Sequence, residues 1–517
     1  MSTAKGIPTA VVTTSGSAVA NLLPAAVEAD RSCQPLLMIT ADRPDRLKNC
    51  GANQTVNQEE FLRPVCRWFG SGPGAGLALL EQEAVQDLAI RAWDSTLNSH
   101  GCAPGPVHLN LPFDEPLHAS VEDLFDLSSS LLGVARPVSR RPATRPCDEV
   151  VPTLKPDQPG VVVAGPWRGL ASDRPAYQQA VLDWCKATGW PVLADPLAQL
   201  PNNCPGCVDH WDLLIEHWSP PGPLQVLRLG PLPASRRLER WLHSIDSQQV
   251  LVSEMEPRPL DPLGRSQQFS WGIVQWLTHQ HHLSTALADS AARTPDRLFR
   301  DGLGAWLDQQ LPLLGPVNEP ALVRGLAKLL PNDMPVMLAA SSPVRDWLTW
   351  SGSSPGSTSG TRPCFSFRGV SGLDGTLSLA MGLALKNGPL VLVCGDLALL
   401  HDSNGWLHAT AQQPPLLVVL IDNAGGGIFQ QLTIPVDPPE RLARLFAMPQ
   451  AVDPLVLAAA HGIPGRQISC LEDLEAALDW GLHHNGPALV RVCTNARIDA
   501  ALRKRLRAAT QNETLME

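Results

Sequence analysis

Short, unbroken apolar runs alternate with amphipathic stretches along almost the whole of this 517-residue chain. Such runs stand at 35–40 (PLLMIT), 390–394 (LVLVC) and 416–421 (LLVVLI), and stretches that also read as strands at 9–14 (TAVVTT), 106–111 (PVHLNL), 160–165 (GVVVAG), 226–229 (VLRL) and 487–493 (PALVRVC). Runs apolar at every position suit parallel strands covered on both faces. Between them 17–29, 80–97, 376–386, 455–460 and 471–483 read as helices, with Pro24 bending the first. The helix 376–386 is rich in small residues and is expected to pack closely. Strand and helix in alternation predict an α/β protein whose parallel sheets are flanked by helices.

The pattern breaks between 127 and 158, where Ser, Arg and Pro dominate and Pro137, Pro142, Pro146, Pro152, Pro156 and Pro159 interrupt regular structure. This divides the chain into a first domain, 1–130, a linker, 131–159, a central domain, 160–300, and a last domain, 318–517. Three domains agree with a chain too long for one core. The first lacks the strand and helix units that a complete α/β layer needs before Thr9, so it reads as incomplete. In the central domain, glycine turns at Gly165 and Gly230 follow strands without a GxGxxG, which argues against a dinucleotide site.

Composition narrows the field further. Apolar residues make up 44% and charged residues 17%, as in a soluble globular protein, and the formal charge of -10 gives no support for nucleic-acid binding. No apolar run approaches the ~20 residues of a membrane helix. The first residues lack a signal-peptide core, which points to the cytoplasm. Twelve scattered cysteines fit a reducing compartment. Cys204-Pro205-Gly206-Cys207, with His210 nearby, is the one CxxC, and a structural zinc site would want a second pair. His279-Gln280-His281-His282 reads as the end of an exposed helix.

The densest chemistry lies in 395–429, GDLALLHDSNGWLHATAQQPPLLVVLIDNAGGGIF. Two parallel strands there end at Gly395-Asp396 and at Asp422-Asn423-Ala424-Gly425-Gly426-Gly427, delivering an acid and an amide to one sheet edge. Ligands of open α/β sheets bind beyond the carboxyl ends of the strands. Hard oxygen donors suit magnesium, and glycines expose backbone groups to a phosphate. A plain βαβ unit with turn-forming residues is the bland alternative; the spacing and the two buried strands favour a metal-bound diphosphate.

GD followed by a helix, a strand and N-x-G resembles the magnesium and diphosphate motif of thiamine diphosphate enzymes. Thr14-Ser15-Gly16-Ser17-Ala18-Val19-Ala20-Asn21-Leu22, Thr40-Ala41-Asp42-Arg43-Pro44 and Cys50-Gly51-Ala52-Asn53-Gln54 resemble, in order, the first domain of the MenD family of these enzymes. Arg368-Gly369-Val370-Ser371-Gly372-Leu373-Asp374-Gly375 and Asn423-Ala424-Gly425-Gly426-Gly427-Ile428-Phe429 resemble its last domain. The resemblance implies a thiamine diphosphate-binding fold, with thiamine diphosphate and Mg2+ (or Mn2+) as cofactors. It implies decarboxylation of 2-oxoglutarate and conjugate addition of the succinyl unit to isochorismate, in menaquinone or phylloquinone biosynthesis, by a homodimer or homotetramer with shared active sites.

By the same resemblance Asp396, Asn423 and the carbonyl of Gly425 are the metal ligands. Leu373, Gly395, Leu397 and Gly426 join them around the cofactor, Leu373 propping it in its bent form. Two dicarboxylate substrates call for fixed guanidinium groups, because Arg binds carboxylate bidentately and stays charged. The matching positions are Arg43, Asn53 and Gln54 in the first domain, Arg236 in the central one, and Ser341, Arg345 and Arg368 in the last. Arg236 stands where the family often has lysine. Ile428, Phe429 and Leu432 match apolar residues beside the reacting carbon.

Thiamine enzymes of this kind also use a first-domain glutamate against the pyrimidine ring. In the family it precedes the segment that matches 9–21, and the first glutamate here, Glu28, falls after that motif. No catalytic residue is therefore assigned. The expectation is an amino-terminally truncated chain that binds magnesium diphosphate better than it turns over. Two other readings stay open: a different thiamine-dependent 2-oxo-acid enzyme, such as an acetolactate synthase, and a cofactor-binding scaffold without activity.

Overall fold

The computed structural model describes residues 2–77, 80–97, 103–115, 117–118, 150–201, 204–280, 302–352, 362–409, 413–432 and 440–510. They form two compact units, one comprising Met1–Glu149 with Gly169–Ser172 and Met255–Pro257, the other the remainder. Most of the Pro-rich stretch, and His281 and His282, lie outside the described residues.

In the first unit four parallel strands, β1 (Thr9–Thr13), β2 (Leu36–Asp42), β3 (Trp68–Ser71) and β4 (Pro106–Pro112), lie in the order β1-β2-β4-β3. The expected single helix 17–29 is two, Ser17–Ala20 and Leu23–Arg31. Pro24 does not bend a helix but opens the second one, where a missing N–H costs nothing. Buried polar groups tie the carboxyl ends of the strands together. Asn110 Nδ2 donates to Asp42 at 2.8 Å, Gln58 Nε2 donates to Asn110 Oδ1 at 2.7 Å, and Gln58 Oε1 accepts from Gly16 N at 2.9 Å.

The second unit contains two parallel sheets. The five-stranded one has the order β6-β5-β7-β8-β9, from β5 (Gly160–Ala164), β6 (Val192–Ala194), β7 (Leu224–Leu229), β8 (Ser247–Val252) and β9 (Ser266–Phe269). The six-stranded one has the order β11-β10-β12-β13-β15-β14, from β10 (Val336–Leu338), β11 (Cys364–Ser366), β12 (Leu390–Gly395), β13 (Leu416–Asp422), β14 (Gly465–Ile468) and β15 (Pro487–Cys493). β5, β7, β12 and β13 are buried along nearly their whole length, as their unbroken apolar sequences require. One continuous core joins the two sheets through Val161, Leu338, Val393 and Val419.

The small-residue helix, Thr376–Asn387, lies against β12 and β13. A Cβ on Gly405 would come within 2.9 Å of Leu377 and 3.0 Å of the Ser378 backbone, so the close packing is real. The end of the Pro-rich stretch is pinned rather than loose. Trp276 Nε1 donates to Pro152 O at 2.8 Å, and Gln225 exchanges two hydrogen bonds with the Lys155 backbone. Leu154 N donates to Gln280, which is buried, and the preceding helix, Gly272–Leu277, ends before His279. Among the described residues no helix is long and apolar enough to cross a membrane.

Candidate active site at the carboxyl edges of the sheets

In the six-stranded sheet β12 and β13 are direct parallel neighbours, with Gly395 opposite Ile421. Asp396 and Asn423, each one residue past its strand, therefore stand side by side. Arg368 follows β11 and Ser341 follows β10, and both strands lie on the same side of β12 in the sheet order. Four candidate positions thus share one carboxyl edge, where an open α/β sheet takes its ligands.

Asp396 is 7% exposed, and its two carboxylate oxygens accept the backbone N–H groups of Leu397 (2.7 Å) and Gly425 (2.6 Å). Burial, followed by the neighbouring Asp422, pushes its carboxyl up to about 6. A buried acid with that bias is neutralised either by a proton or by a cation. Asn423 donates through Nδ2 to Glu319 Oε1 at 2.6 Å, while its Oδ1 is buried without any partner. An amide fixed by its nitrogen with an orphaned oxygen is a preformed oxygen ligand.

The glycines behave as a cradle. Gly425 has φ +113, and a Cβ there would stand 2.0 Å from the Ala447 carbonyl; at Gly426 it would stand 2.7 Å from the Phe446 carbonyl. Among the described residues no group of three His, Cys, Asp or Glu could hold a metal. A cation here has one carboxylate, one amide and backbone carbonyls to bind, and phosphate oxygens suit the remaining positions. The residues thus fit a magnesium-bound diphosphate.

Arg236 opens the helix Arg236–Ser244, Arg345 sits on the helix Ser342–Trp350, and Arg368 follows β11. The Arg345 guanidinium is held below its ordinary pKa by desolvation and then by the proximity of Arg368 and Arg236. None of the three makes an ion pair among the described residues. Arg345 donates to Ser341 O, Arg368 to Ser371 Oγ at 3.1 Å, and Arg368 Nε is buried without a partner. Three cations held close together with a spare buried donor are an arrangement that suits an anion.

Ser341 (φ 73), Ser371 (φ 60) and Ala424 (φ 63) all occupy the left-handed region in these same loops. Strained non-glycine backbone collected at one sheet edge is characteristic of functional sites. Leu373, half-buried, accepts the Thr376 hydroxyl at its carbonyl. Ile428 and Phe429 lie in the turn Gly427–Gln431, with Phe429 edge-on to Phe446 at 5.4 Å, and Leu432 is 50% exposed. In the first unit Arg43 follows β2, and Gln54 (φ 63) donates to Thr14 Oγ1 and Ser15 O past the end of β1. Asn53 is exposed beside it.

Several residues that orient these groups carry no sequence signal. Glu319, 2% exposed, accepts Asn423 Nδ2, Thr494 Oγ1 at 3.2 Å and Arg503, which also bridges Asp346 at 2.6 Å. Asp212, also 2% exposed, accepts the Ser235 hydroxyl at 2.5 Å and the Thr349 hydroxyl at 2.9 Å. Ser235 caps the helix that begins with Arg236, and Thr349 lies one turn beyond Arg345. One buried carboxylate thus fixes the two helices that deliver two of the arginines. Asp195, buried and held above its ordinary pKa by burial, is under the influence of Arg368. A lone Asp or Glu in a helical stretch reads as surface until its long-range partners are known.

Residues 356–492 match the family model described as the thiamine pyrophosphate enzyme, C-terminal TPP binding domain, and 153–336 match that described as the middle domain of thiamine pyrophosphate. A 2-succinyl-5-enolpyruvyl-6-hydroxy-3-cyclohexene-1-carboxylate synthase of Synechococcus sp. (strain CC9902) is 58% identical over 515 residues, covering 99% of this chain and 90% of the relative. The synthase of the same name from Parasynechococcus marenigrum (strain WH8102) is also 58% identical, over 513 residues, covering 99% and 91%. Among solved structures, benzoylformate decarboxylase from Polynucleobacter necessarius shares the fold, with a TM-score of 0.63 at 17% identity over 96% of this chain and 88% of that one. Identity at this level over nearly the full length, together with the match of the last domain to the TPP binding domain, makes the chain a member of the 2-succinyl-5-enolpyruvyl-6-hydroxy-3-cyclohexene-1-carboxylate synthase family of thiamine diphosphate enzymes.

Proposed function

We propose that the chain is a transferase that decarboxylates 2-oxoglutarate and adds the succinyl unit to isochorismate, giving 2-succinyl-5-enolpyruvyl-6-hydroxy-3-cyclohexene-1-carboxylate for menaquinone or phylloquinone. The observation that carries this reading is the group of Arg236, Arg345 and Arg368, none of them ion-paired among the described residues, in the same unit as Asp396 and Gly425. Both substrates are dicarboxylates, four carboxylates in all, and these three arginines together with Arg43 provide one guanidinium for each. An enzyme for pyruvate would need fewer.

Thiamine diphosphate, when bound, supplies the carbon nucleophile and the electron sink for decarboxylation. Asp396, Asn423 and the Gly425 carbonyl hold Mg2+ or Mn2+; Gly395, Leu397 and Gly426 line the diphosphate, and Leu373 supports the ring system. Arg236, Arg345 and Arg368, with Ser341, bind and orient substrate carboxylates. Ile428, Phe429 and Leu432 keep water from the reacting carbon. Arg43, Asn53 and Gln54 complete the substrate site, supplied across subunits of a homodimer or homotetramer in the cytoplasm. The reading keeps 1–130, 160–300 and 318–517 as the pyrimidine-binding, central and diphosphate-binding domains. It assigns no residue to the pyrimidine-facing acid: Glu28 already accepts the Ser32 hydroxyl at 2.6 Å.

The test is turnover of 2-oxoglutarate with isochorismate, in the presence of Mg2+ and thiamine diphosphate, against pyruvate as the alternative donor. Product from 2-oxoglutarate alone supports the reading. Preference for pyruvate overturns it. Cofactor binding by calorimetry without turnover of either donor identifies a scaffold.

A further inference from the structure

His210 has no place in the proposed chemistry, yet it is buried against the helix that carries Arg345. It precedes the short helix Trp211–Leu214 in the left-handed conformation, with φ 54, and is 5% exposed. A non-glycine residue enters that region at a cost and stays there when its surroundings over-determine it. The surroundings here are the end of the helix Ser342–Trp350, and carbonyls of a helix's last turn have no donor within the helix. His210 Nδ1 stands 2.9 Å from Thr349 O, and Arg324 Nη1 donates to Trp350 O at 3.3 Å. The same Arg324 Nη1 stands 3.2 Å from His210 Nε2.

These contacts fix the tautomer. A guanidinium offers only N–H donors, so Nε2 accepts, and the imidazole proton sits on Nδ1, from which it is donated to the Thr349 carbonyl. The guanidinium is not free to turn away, because its Nε donates to Asp308 and its Nη2 to Gly304 O. Two residues past the helix, Gly352 makes room for the ring: it has φ +65, and a Cβ there would stand 2.7 Å from His210 Nε2. His210 also lines a cleft of about 290 Å³ with Trp347 and Arg362, which gives protons a way in.

We propose that His210 is a positioning residue for Arg345 that works only as the neutral imidazole, so that protonating it weakens dicarboxylate binding. The inference rests on the reading of Arg345 as a substrate-carboxylate group. Protonation places an N–H on Nε2, donor against donor and cation against cation, 3.2 Å from Arg324. Either the ring or the guanidinium must then withdraw, and each takes with it a hydrogen bond to the end of the helix. A helix carboxyl end attracts a cation, but Arg324 already supplies one. The other charged groups around the ring are Asp195, Asp209, Asp212, Asp308 and Arg362. Asp308 holds Arg324 and Lys328, Asp212 holds Arg237 and the Thr349 hydroxyl, and Asp195 accepts the N–H groups of Leu197 and Ala234. Burial holds the imidazole below its ordinary pKa, with Arg324 adding to this and Asp209 and Asp308 opposing it. Dicarboxylate affinity is therefore full at neutral pH and falls in acid.

The experiment titrates succinate, a dicarboxylate with no oxo group to react, into the full chain saturated with Mg2+ and thiamine diphosphate, by calorimetry at about pH 8 and about pH 5. The wild type is expected to bind up to about tenfold more weakly at the lower pH, as for the loss of one hydrogen bond. His210→Asn tolerates the left-handed backbone, places an amide N–H near the position of Nδ1 and does not titrate, so it is expected to lose that change. His210→Phe, without a donor, is expected to bind weakly at both. NMR of labelled histidine, with the His210 signal assigned by its absence from H210N, is expected to show the Nδ1–H tautomer at the higher pH. An Nε2–H tautomer, a wild-type affinity that changes with pH no more than that of H210N, or full affinity in H210F overturns the inference alone. No binding of succinate by the wild type at either pH overturns the reading of Arg345 and the inference with it.

Discussion

Replacing Glu319 by Gln perturbs the proposed metal ligand Asn423 without touching the site itself. In the wild type Glu319 Oε1 accepts Asn423 Nδ2 at 2.6 Å and Thr494 Oγ1 at 3.2 Å, while Oε2 faces Arg503. Every neighbour on both sides is a donor. Glutamine keeps the shape but has one accepting oxygen, so its amide nitrogen must oppose either Arg503 or Asn423. If it opposes Asn423, the Asn423 amide turns over, so its Oδ1 accepts from the glutamine and leaves the metal position to Nδ2. A charge-assisted hydrogen bond of this kind contributes ~1.5–3 kcal/mol. Losing a residue that orients a metal ligand weakens metal affinity by about 10–100-fold. That range equals ~1.4–2.8 kcal/mol, so the two figures agree. Arg503 keeps its pair with Asp346 at 2.6 Å, which limits the damage to the fold. Calorimetric titration of Mg2+ into the variant with saturating thiamine diphosphate should show the affinity loss, with apo unfolding followed separately. An unchanged Mg2+ affinity, even with a less stable fold, would refute the orienting role of Glu319.

Asp212→Asn should raise KM for the dicarboxylate substrates by about tenfold, ~1.4 kcal/mol, with a smaller effect on kcat, because it frees the helices that carry Arg236 and Arg345; steady-state kinetics on both substrates check this. Gly425→Ala should destabilise by ~1–3 kcal/mol and abolish diphosphate binding, since its Cβ would stand 2.0 Å from a carbonyl. Gly382→Ala, mid-helix with nothing within 4 Å, should instead stabilise by ~0.5–1 kcal/mol, and thermal unfolding of both variants tests the contrast. Asp499 is 1% exposed, and burial followed by Glu319 pushes its carboxyl up to about 7 from an ordinary 3.8. The fold then holds the proton more tightly than the unfolded chain does, so stability should fall as pH rises from about 4 to about 7, by at most ~1.4 kcal/mol per unit. Asp499→Asn should flatten that slope in denaturant titrations at several pH values.

The chain's own pattern determined the α/β class, the strands β5, β7, β12, β13 and β15, and the acid and amide at neighbouring strand ends. Central parallel strands are covered on both faces, and short unbroken apolar runs bounded by turn residues suit that position. Strands β3, β6, β9, β11 and β14 went unread because each is a sheet edge, short or polar, as with SQQF at Ser266–Phe269. β10 and β8 escaped for related reasons, the one being three residues long and the other opening with Ser247-Gln248-Gln249. The sequence located Arg345 and Arg368 by their motifs, but their mutual proximity and the orphaned Arg368 Nε belong to the tertiary structure. So do Glu319, Arg503 and Asp212, whose partners lie between 23 and 184 residues away along the chain. Periodicity records which face of an element is buried, because burial acts on each residue locally. Which charge meets which is settled only when distant elements pack, and no local pattern encodes that pairing.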